Sequence, residues 1–406
     1  MDLALLEQLT SDTGRTLFAD IATRQGEDPL RISAALRKAG YEPELIAAAL
    51  TQTRLRTKAH AKLGDFAERM FFTANGVEQA TRLSVAAHHA QRFLGAGITK
   101  VADLTSGIGA DSMAFAALGL DVLATDIDPL TAAMAVENLR PFPNASVRTA
   151  DGLATDFEAE GIDGIYADPA RRDGTGRRVW TPESFLPPLD AVWNLRSRVA
   201  GVGLKLGPGI AHADIPDGCE TQWVSIDGDV VEAGLWFGSV ARREGFGALV
   251  LTTTPSGLRA TEFTGDGLDG TVHTIDAASE LREYLHEPDG AVIRAGLVAH
   301  LANELDGALI DPSIAYFTSD TPVYADGSSL SQAYRIVEAI PYNVKTLRAY
   351  LKDRKVGRVT IKKRGISVTP EQLRPQLALK GENEATIILT RVNDKKTAII
   401  VDPLQP

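Results

Sequence analysis

The residues of this chain best suited to chemistry stand at the ends of short apolar runs. Val101-Ala102 closes on Asp103, Val122-Leu123-Ala124-Thr125 on Asp126, Ser146 to Ala150 on Asp151, and Ile165-Tyr166-Ala167 on Asp168. After the first acid comes Thr105-Ser106-Gly107-Ile108-Gly109-Ala110-Asp111-Ser112. Glycines in such a loop let the backbone turn sharply and approach a ligand closely. An ionised carboxylate only accepts hydrogen bonds, so these acids suit diols, ammonium groups and exocyclic amines. Asp126, 17 residues past Gly109, is placed for a ribose diol, and Asp151 for the amine of an adenine ring. Each acid alone could be a turn residue. Four in register mark a shared crevice.

The elements that would position them alternate in type. From about Lys100 to about residue 240, β-rich segments (KVADL, DVLATD, SVRTAD, DGIYAD, GLKLG, TQWVSI, VVEAGLWFG) alternate with helical ones such as DSMAFAALGL and PLTAAMAVENL. That pattern predicts an α/β, doubly wound (Rossmann-like) parallel sheet, in which ligands bind outside the carboxyl ends of the strands. Residues 1–97 carry apolar residues at three- and four-residue spacing and read as a helical domain. The sheet domain is expected over 98–278, and an α+β domain over 279–406, where VIRAGLVAHLANEL and VKTLRAYLKDR read as helices and RVTIKKRG, ATIILTRV and TAIIV as strands. A nicotinamide-binding sheet is disfavoured because Ser112 stands at the third glycine position of the dinucleotide fingerprint.

Asp103, Gly107, Gly109, Asp126 and Asp151 together resemble the pattern of the class I S-adenosylmethionine-dependent methyltransferases, over about residues 100 to 240. The resemblance implies that Gly107 and Gly109 face the methionine part of the cofactor and Asp126, with Ile127, holds the ribose. It also implies that Asp151 with Gly152 meets the adenine and that Asp103 holds the methionine amino group. Gln79 and Thr81, in MFFTANGVEQATRLSVAAHHAQRF, lie where related enzymes touch the cofactor carboxylate; helix packing is an equal alternative for them. With that segment, DPARR and the tail YLHEPDGAVIRAGLV…VGRVTIKKRG, the chain from about Lys58 onward is similar to bacterial methyltransferases with a C-terminal THUMP-like domain. THUMP domains are associated with RNA-modifying enzymes, so the resemblance implies a methyltransferase acting on a base of structured RNA, tRNA or rRNA.

Asp168-Pro169-Ala170-Arg171-Arg172 is the sharper puzzle. Amine-methylating members of the class end this strand in D/N-P-P-aromatic, so the match implies that Asp168 and Pro169 hold a target amine. Ala170 and Arg171 depart from the pattern. Either Arg171 stacks on a splayed base or forks onto a phosphate, or the chemistry is not amine methylation. Carbon-5 methylation of a pyrimidine needs a nucleophilic cysteine, and the single cysteine, Cys219, is the only candidate. Amine methylation needs less, because alignment and exclusion of water suffice. His88 and His89, adjacent on a helix, point to different sides and do not form a metal pair; no metal is expected. Lys205, closing the fifth strand, could line the substrate side or belong to a plain Gly-Pro turn.

Charge is unevenly spread. The formal net charge is −11, yet Lys345 to Arg364 holds nine basic residues against Asp353, a local +8 that leaves −19 elsewhere. Such asymmetry fits a nucleic-acid surface confined to one domain, with a solvated helix face as the alternative. Lys352, Arg354, Lys355, Lys362, Lys363 and Arg364 are the RNA-contact candidates, a plain exposed hairpin tip being the equal alternative for the last three. No apolar run reaches bilayer length and no basic leader opens the chain, so a cytoplasmic protein is expected. A non-catalytic RNA-binding protein on a methyltransferase scaffold, or a methyltransferase with a non-RNA substrate, stands as the alternative; the oligomeric state is not readable.

Overall fold

Helix-start signals account for the N-terminal region of the computed structural model, which describes residues 1–171, 184–265, 270–322 and 330–404. Asp2, Ser11 and Asp28 cap α1 (Leu3–Thr10), α2 (Asp12–Ala22) and α3 (Pro29–Lys38), their side chains accepting first-turn backbone N–H groups. α4 (Pro43–Leu63) starts on a proline, whose fixed φ suits a first turn. Leu6, Leu17, Ile21, Leu36 and Ile46 bury against one another and against Phe71 and Met134. GVEQATRLSVAAHHAQRFL, read as one helical stretch, divides into α5 (Ala74–Gln79) and α6 (Leu83–Gly95). The break leaves Thr81 between them, off either helix.

The chain forms two compact units. One comprises Met1–Leu206, Ile210–Glu220 and Gly234–Glu244; the other comprises Gly207–Gly209, Thr221–Ala233 and Gly245–Pro406. In the first, β1 (Lys100–Asp103), α7 (Ala110–Ala117), β2 (Asp121–Asp126), α8 (Pro129–Leu139), β3 (Ala145–Thr149) and β4 (Gly164–Ala167) alternate as expected. A short pair, β5 (Ala170–Arg171) and β6 (Phe185–Leu186), precedes α9 (Leu189–Trp193) and β7 (Gly201–Leu206). The strand order β3-β2-β1-β4-β7 is parallel throughout. Asp103 lies opposite Ala124 on one side and Tyr166 on the other, so the order reverses between β1 and β4. A crevice opens at that switch point. Val101, Ala102, Ala124, Ile165 and Ala167 are all 0% exposed, as strands covered on both faces must be.

The parallel pattern stops earlier than its expected limit near residue 240. β8 (Glu220–Ile226) and β9 (Asp229–Gly238) are joined by Asp227-Gly228 alone, both at left-handed φ (49° and 88°). Two residues cannot make a parallel crossover, so this is a hairpin. β10 (Gly245–Thr254) and β11 (Gly257–Thr264) form another.

The second unit has its own seven-stranded sheet. After β12 (Tyr284–Pro288), the stretch read as one helix is broken at Gly296 (φ 75°) into α10 (Gly290–Arg294) and α11 (Val298–Glu304). β13 (Ala308–Leu309), β14 (Phe317–Ser319), β15 (Ser331–Pro341), α12 (Val344–Asp353), β16 (Val356–Lys363), α13 (Pro370–Leu377), β17 (Asn383–Val392) and β18 (Lys395–Pro403) follow. The sheet order is β13-β14-β12-β15-β18-β17-β16. Leu347, Leu351, Leu373 and Leu377 of α12 and α13 cover Val359, Ile387, Leu389 and Ile400. β16 runs parallel to β17 through α13, so the hairpin-tip alternative for Lys362-Lys363-Arg364 does not hold. Lys362 also meets Glu287 of β12 at 2.6 Å. Four strand spacings in a flat sheet would separate those strands by roughly 19 Å. The sheet therefore curls until its distant strands share an ion pair.

Candidate active site

The ends of β1, β2 and β4 surround a cavity of about 470 Å³, well within the range of small-ligand sites. Asp103, Asp126, Asp151 and Asp168 all line it, as do Gly107, Ile127, Gly152, Gln79 and Thr81. Parallel strands place these acids together by construction, since each strand delivers its last residue to the same edge.

Asp103 is 1% exposed. It accepts hydrogen bonds from Ser112 Oγ at 2.6 Å and from the Thr105 amide at 3.3 Å. Burial, above all, pushes its carboxyl up to about 7, against the Ser112 hydrogen bond. Asp126 accepts the amides of Gly107 (3.0 Å) and Asp128 (2.9 Å), and its carboxyl is raised chiefly by burial. Gly107 turns at φ 54°, and no atom lies within 4 Å of where its Cβ would stand, so its backbone is open to the cavity. Gly109 lies behind the loop, where a Cβ would meet Leu139 at 3.3 Å. Asp151 caps the turn Gly152–Ala154 through the Leu153 amide, at 3.0 Å. At Gly152 a Cβ would come within 2.7 Å of Thr125 Oγ1 and 2.8 Å of Leu104 Cβ.

At the end of β4, the Asp168 amide donates to Thr105 Oγ1 at 2.7 Å, and its Oδ2 lies 2.6 Å from Lys205 Nζ. Pro169 is buried beside it and does not line the cavity, whereas Ala170 does. Arg171 contributes backbone to β5, pairing with Phe185. Its side chain and Arg172 lie outside the described residues. Leu186, Pro187 and Pro188, not singled out by sequence, add an apolar wall.

Sequence reasoning also missed Asp111 and the contacts around it. Lys205 Nζ donates to Thr81 Oγ1 (2.8 Å), which donates to Asp111 Oδ2 (2.6 Å). Asp111 Oδ1 lies 2.9 Å from His89 Nδ1, itself 3.1 Å from Tyr166 Oη. The result is a closed circuit that leaves β4 at Tyr166 and returns to it at Asp168. Burial alone would raise the Asp111 carboxyl, but His89, Lys205 and Thr81 hold it below the usual range. The sequence offered one signal for this, a lysine closing the fifth strand.

The basic candidates of the second unit separate into two groups. Lys362 and Arg364 engage Glu287, at 2.6 and 3.5 Å, and Lys363 Nζ lies 3.5 Å from the Ile366 carbonyl. Arg354 lies 3.6 Å over the Tyr350 ring and 3.4 Å from Glu338. Lys352 and Lys355 instead line a second concavity.

The first cavity fits a nucleoside-bearing sulfonium cofactor with an amino-acid tail. It offers an open glycine backbone, a desolvated carboxylate for an ammonium group and outer carboxylates for a diol and an amine.

Comparison with known proteins agrees. Residues 331–403 match the family described as THUMP domain-like, and residues 2–59 match a Domain of unknown function (DUF8688). Two uncharacterised S-adenosylmethionine-dependent methyltransferases from strains of Mycobacterium tuberculosis are each 30% identical over 350 residues, covering 84% of this chain and 91% of theirs. The crystal structure of a methyltransferase from Porphyromonas gingivalis shares the fold, with a TM-score of 0.76 and 22% identity over 96% of this chain and 99% of that one. The chain therefore belongs to the S-adenosylmethionine-dependent methyltransferases and carries a THUMP-like segment near its C-terminus.

Proposed function

We propose that this methyltransferase acts on a base of structured RNA, tRNA or rRNA, with an exocyclic amine as the acceptor. The observation that carries the reading is the position of Asp168, a carboxylate at the end of β4 on the same cavity as Asp103, Asp126 and Asp151. In this assignment Asp103 takes the cofactor's ammonium group, Asp126 beside Ile127 its ribose, and Asp151 with Gly152 its adenine. Gln79 and Thr81 border its carboxylate end.

When bound, the cofactor supplies an electrophilic methyl group. Asp168 accepts a hydrogen bond from the target amine and turns the nitrogen lone pair toward that methyl; Pro169, buried and off the cavity lining, is left to shape the turn that presents Asp168. The nitrogen–carbon bond forms as the sulfur–carbon bond breaks, and the amine proton leaves by way of the Asp168 carboxylate to water. Alignment and dehydration are the protein's main contributions. Arg171 is assigned to the splayed base or a neighbouring phosphate. RNA is supported by the THUMP-like match and by the basic stretch in a chain of net charge −11.

Carbon-5 methylation is disfavoured by Cys219. It is 5% exposed, donates to the Pro216 carbonyl at 3.2 Å, and is not among the residues lining the cavity.

Nucleosides from tRNA and rRNA of a deletion strain, compared with wild type by mass spectrometry, test the proposal. One methylated amino-nucleoside should disappear and return with the wild-type gene but not with Asp168→Ala. An unchanged nucleoside profile would point to a non-RNA acceptor.

A further inference from the structure

The concavity in the second unit is built largely from cations that form no ion pair among the described residues. Arg348 and Lys352 project from α12, Lys355 from the turn that follows, and Lys380 from the loop between α13 and β17, around a space of about 810 Å³. The single acid on its lining is Glu382. Among the described residues, none of the four basic side chains has an ion-pair partner. Their neighbours in the same stretch do: Arg354 has Glu338, Arg358 has Glu384, and Lys362 and Arg364 share Glu287.

Holding these charges together is unfavourable in the free protein. Arg348 and Lys352 stand four residues apart on one helix, a spacing at which like charges repel. Two further residues of the lining adopt backbone that side-chain-bearing residues rarely take, Lys355 at φ 52° and Ala378 at φ 46°. The floor is backbone packed on backbone. A Cβ on Gly381 would lie 1.7 Å from the Lys355 carbonyl oxygen, and one on Gly357 would lie 1.8 Å from that of Gly381. Asn383 and Gly381 donate amides to Lys355 and Val356, at 3.0 and 3.3 Å, and fix the loops to each other. Strained loops carrying unpaired like charges fit a ligand that supplies the missing negative charge.

We propose that this concavity binds successive phosphates of a polynucleotide, and that it, rather than the Lys362–Arg364 segment, is the principal phosphate contact of the THUMP-like unit. Four cations from three elements around a space of about 810 Å³ suit several phosphates better than one. Base identity is not read here, since long flexible cations facing an open space hold phosphates without distinguishing bases. The inference rests on the RNA reading above.

The test uses the full chain with total tRNA, with total rRNA and, separately, with inorganic tripolyphosphate. Lys352→Gln with Lys380→Gln should weaken RNA binding at least about tenfold and reduce the dependence of log affinity on log salt by about two. Arg335→Gln with Arg358→Gln removes the same charge from positions paired with Asp402 and Glu384 and should change affinity less than about twofold. Cofactor binding should be unchanged in both, which confirms folding. RNA binding that is indifferent to the first pair, or equally sensitive to both, would overturn the site and leave the RNA reading standing. Wild-type protein that binds tripolyphosphate through Lys352 and Lys380 but takes up no RNA would overturn the polynucleotide assignment and the RNA reading together.

Discussion

Lys205 Nζ stands 2.6 Å from the Asp168 carboxylate and 2.8 Å from Thr81 Oγ1, tying the end of β7 to the end of β4. Asp168 thus lines the cavity with its carboxylate held by the ammonium. If Asp168 holds the acceptor as proposed, Lys205, 12% exposed in its side chain, should act through it as a positioning residue. Lys205→Met should lower kcat for methyl transfer to RNA from a deletion strain at least about tenfold, near 1.4 kcal/mol in the barrier. Cofactor affinity should stay within about twofold, and Lys205→Arg should recover part of the rate. Equal losses in the Met and Arg variants, or a parallel loss of cofactor binding, would contradict the assignment.

The four strand-end acids were legible because a parallel sheet converts a local pattern, apolar run then acid, into spatial convergence. The circuit behind them was not. His89 meets Asp111 across 22 residues and Tyr166 across 77, separations that no local spacing encodes. The same limit applied to Lys362, whose charge is obvious in sequence but whose partner Glu287 lies 75 residues away. The end of the parallel region, by contrast, carried a readable signal. Asp227-Gly228 between two apolar runs is the strongest short hairpin marker, and it outweighs the strand-helix rhythm that precedes it.

Asp103 should couple cofactor binding to pH. Its folded-state pKa, about 7, lies above the ordinary 3.8 because burial penalises the charged form. The free protein therefore binds the extra proton between these values, so this group's contribution to stability is complete below about 4 and is lost as pH rises to about 7. An ammonium group beside Asp103 favours the ionised form, so binding below pH 7 must expel a proton. Calorimetry at pH 6 in two buffers of different ionisation enthalpy should show net proton release in wild type. Asp103→Asn should show little release, weaker binding, and a flatter dependence of unfolding free energy on pH between 4 and 7.

Gly152 should tolerate no side chain. A methyl group there would press on Thr125 Oγ1, Leu104 Cβ and the Leu104 backbone at 2.7 to 2.9 Å, and backbone cannot swing aside. Gly152→Ala should destabilise the protein by about 1–3 kcal/mol in chemical denaturation, the usual cost of overpacking. Because the displaced turn also carries Asp151, cofactor affinity should fall at least about tenfold. Gly107→Ala has open space and a left-handed φ of 54°. It should cost less stability, with cofactor binding still impaired because the added methyl enters the cavity.

Cys219 and Asp168 separate the two kinds of methyl acceptor. A pyrimidine carbon requires a thiolate to add to the ring before methylation, so a cysteine-dependent enzyme loses activity without it. An amine nitrogen already carries its lone pair and needs only orientation. Cys219→Ala, in which a small buried thiol gives way to a methyl group, should therefore retain methyl transfer to RNA within about twofold. Asp168→Ala should reduce transfer at least about a hundredfold while cofactor binding persists, within the range of a group that positions the acceptor. Loss of activity in Cys219→Ala in a protein that still folds and binds cofactor would exclude the amine mechanism. So would an RNA–protein adduct that forms with wild type but not with Cys219→Ala.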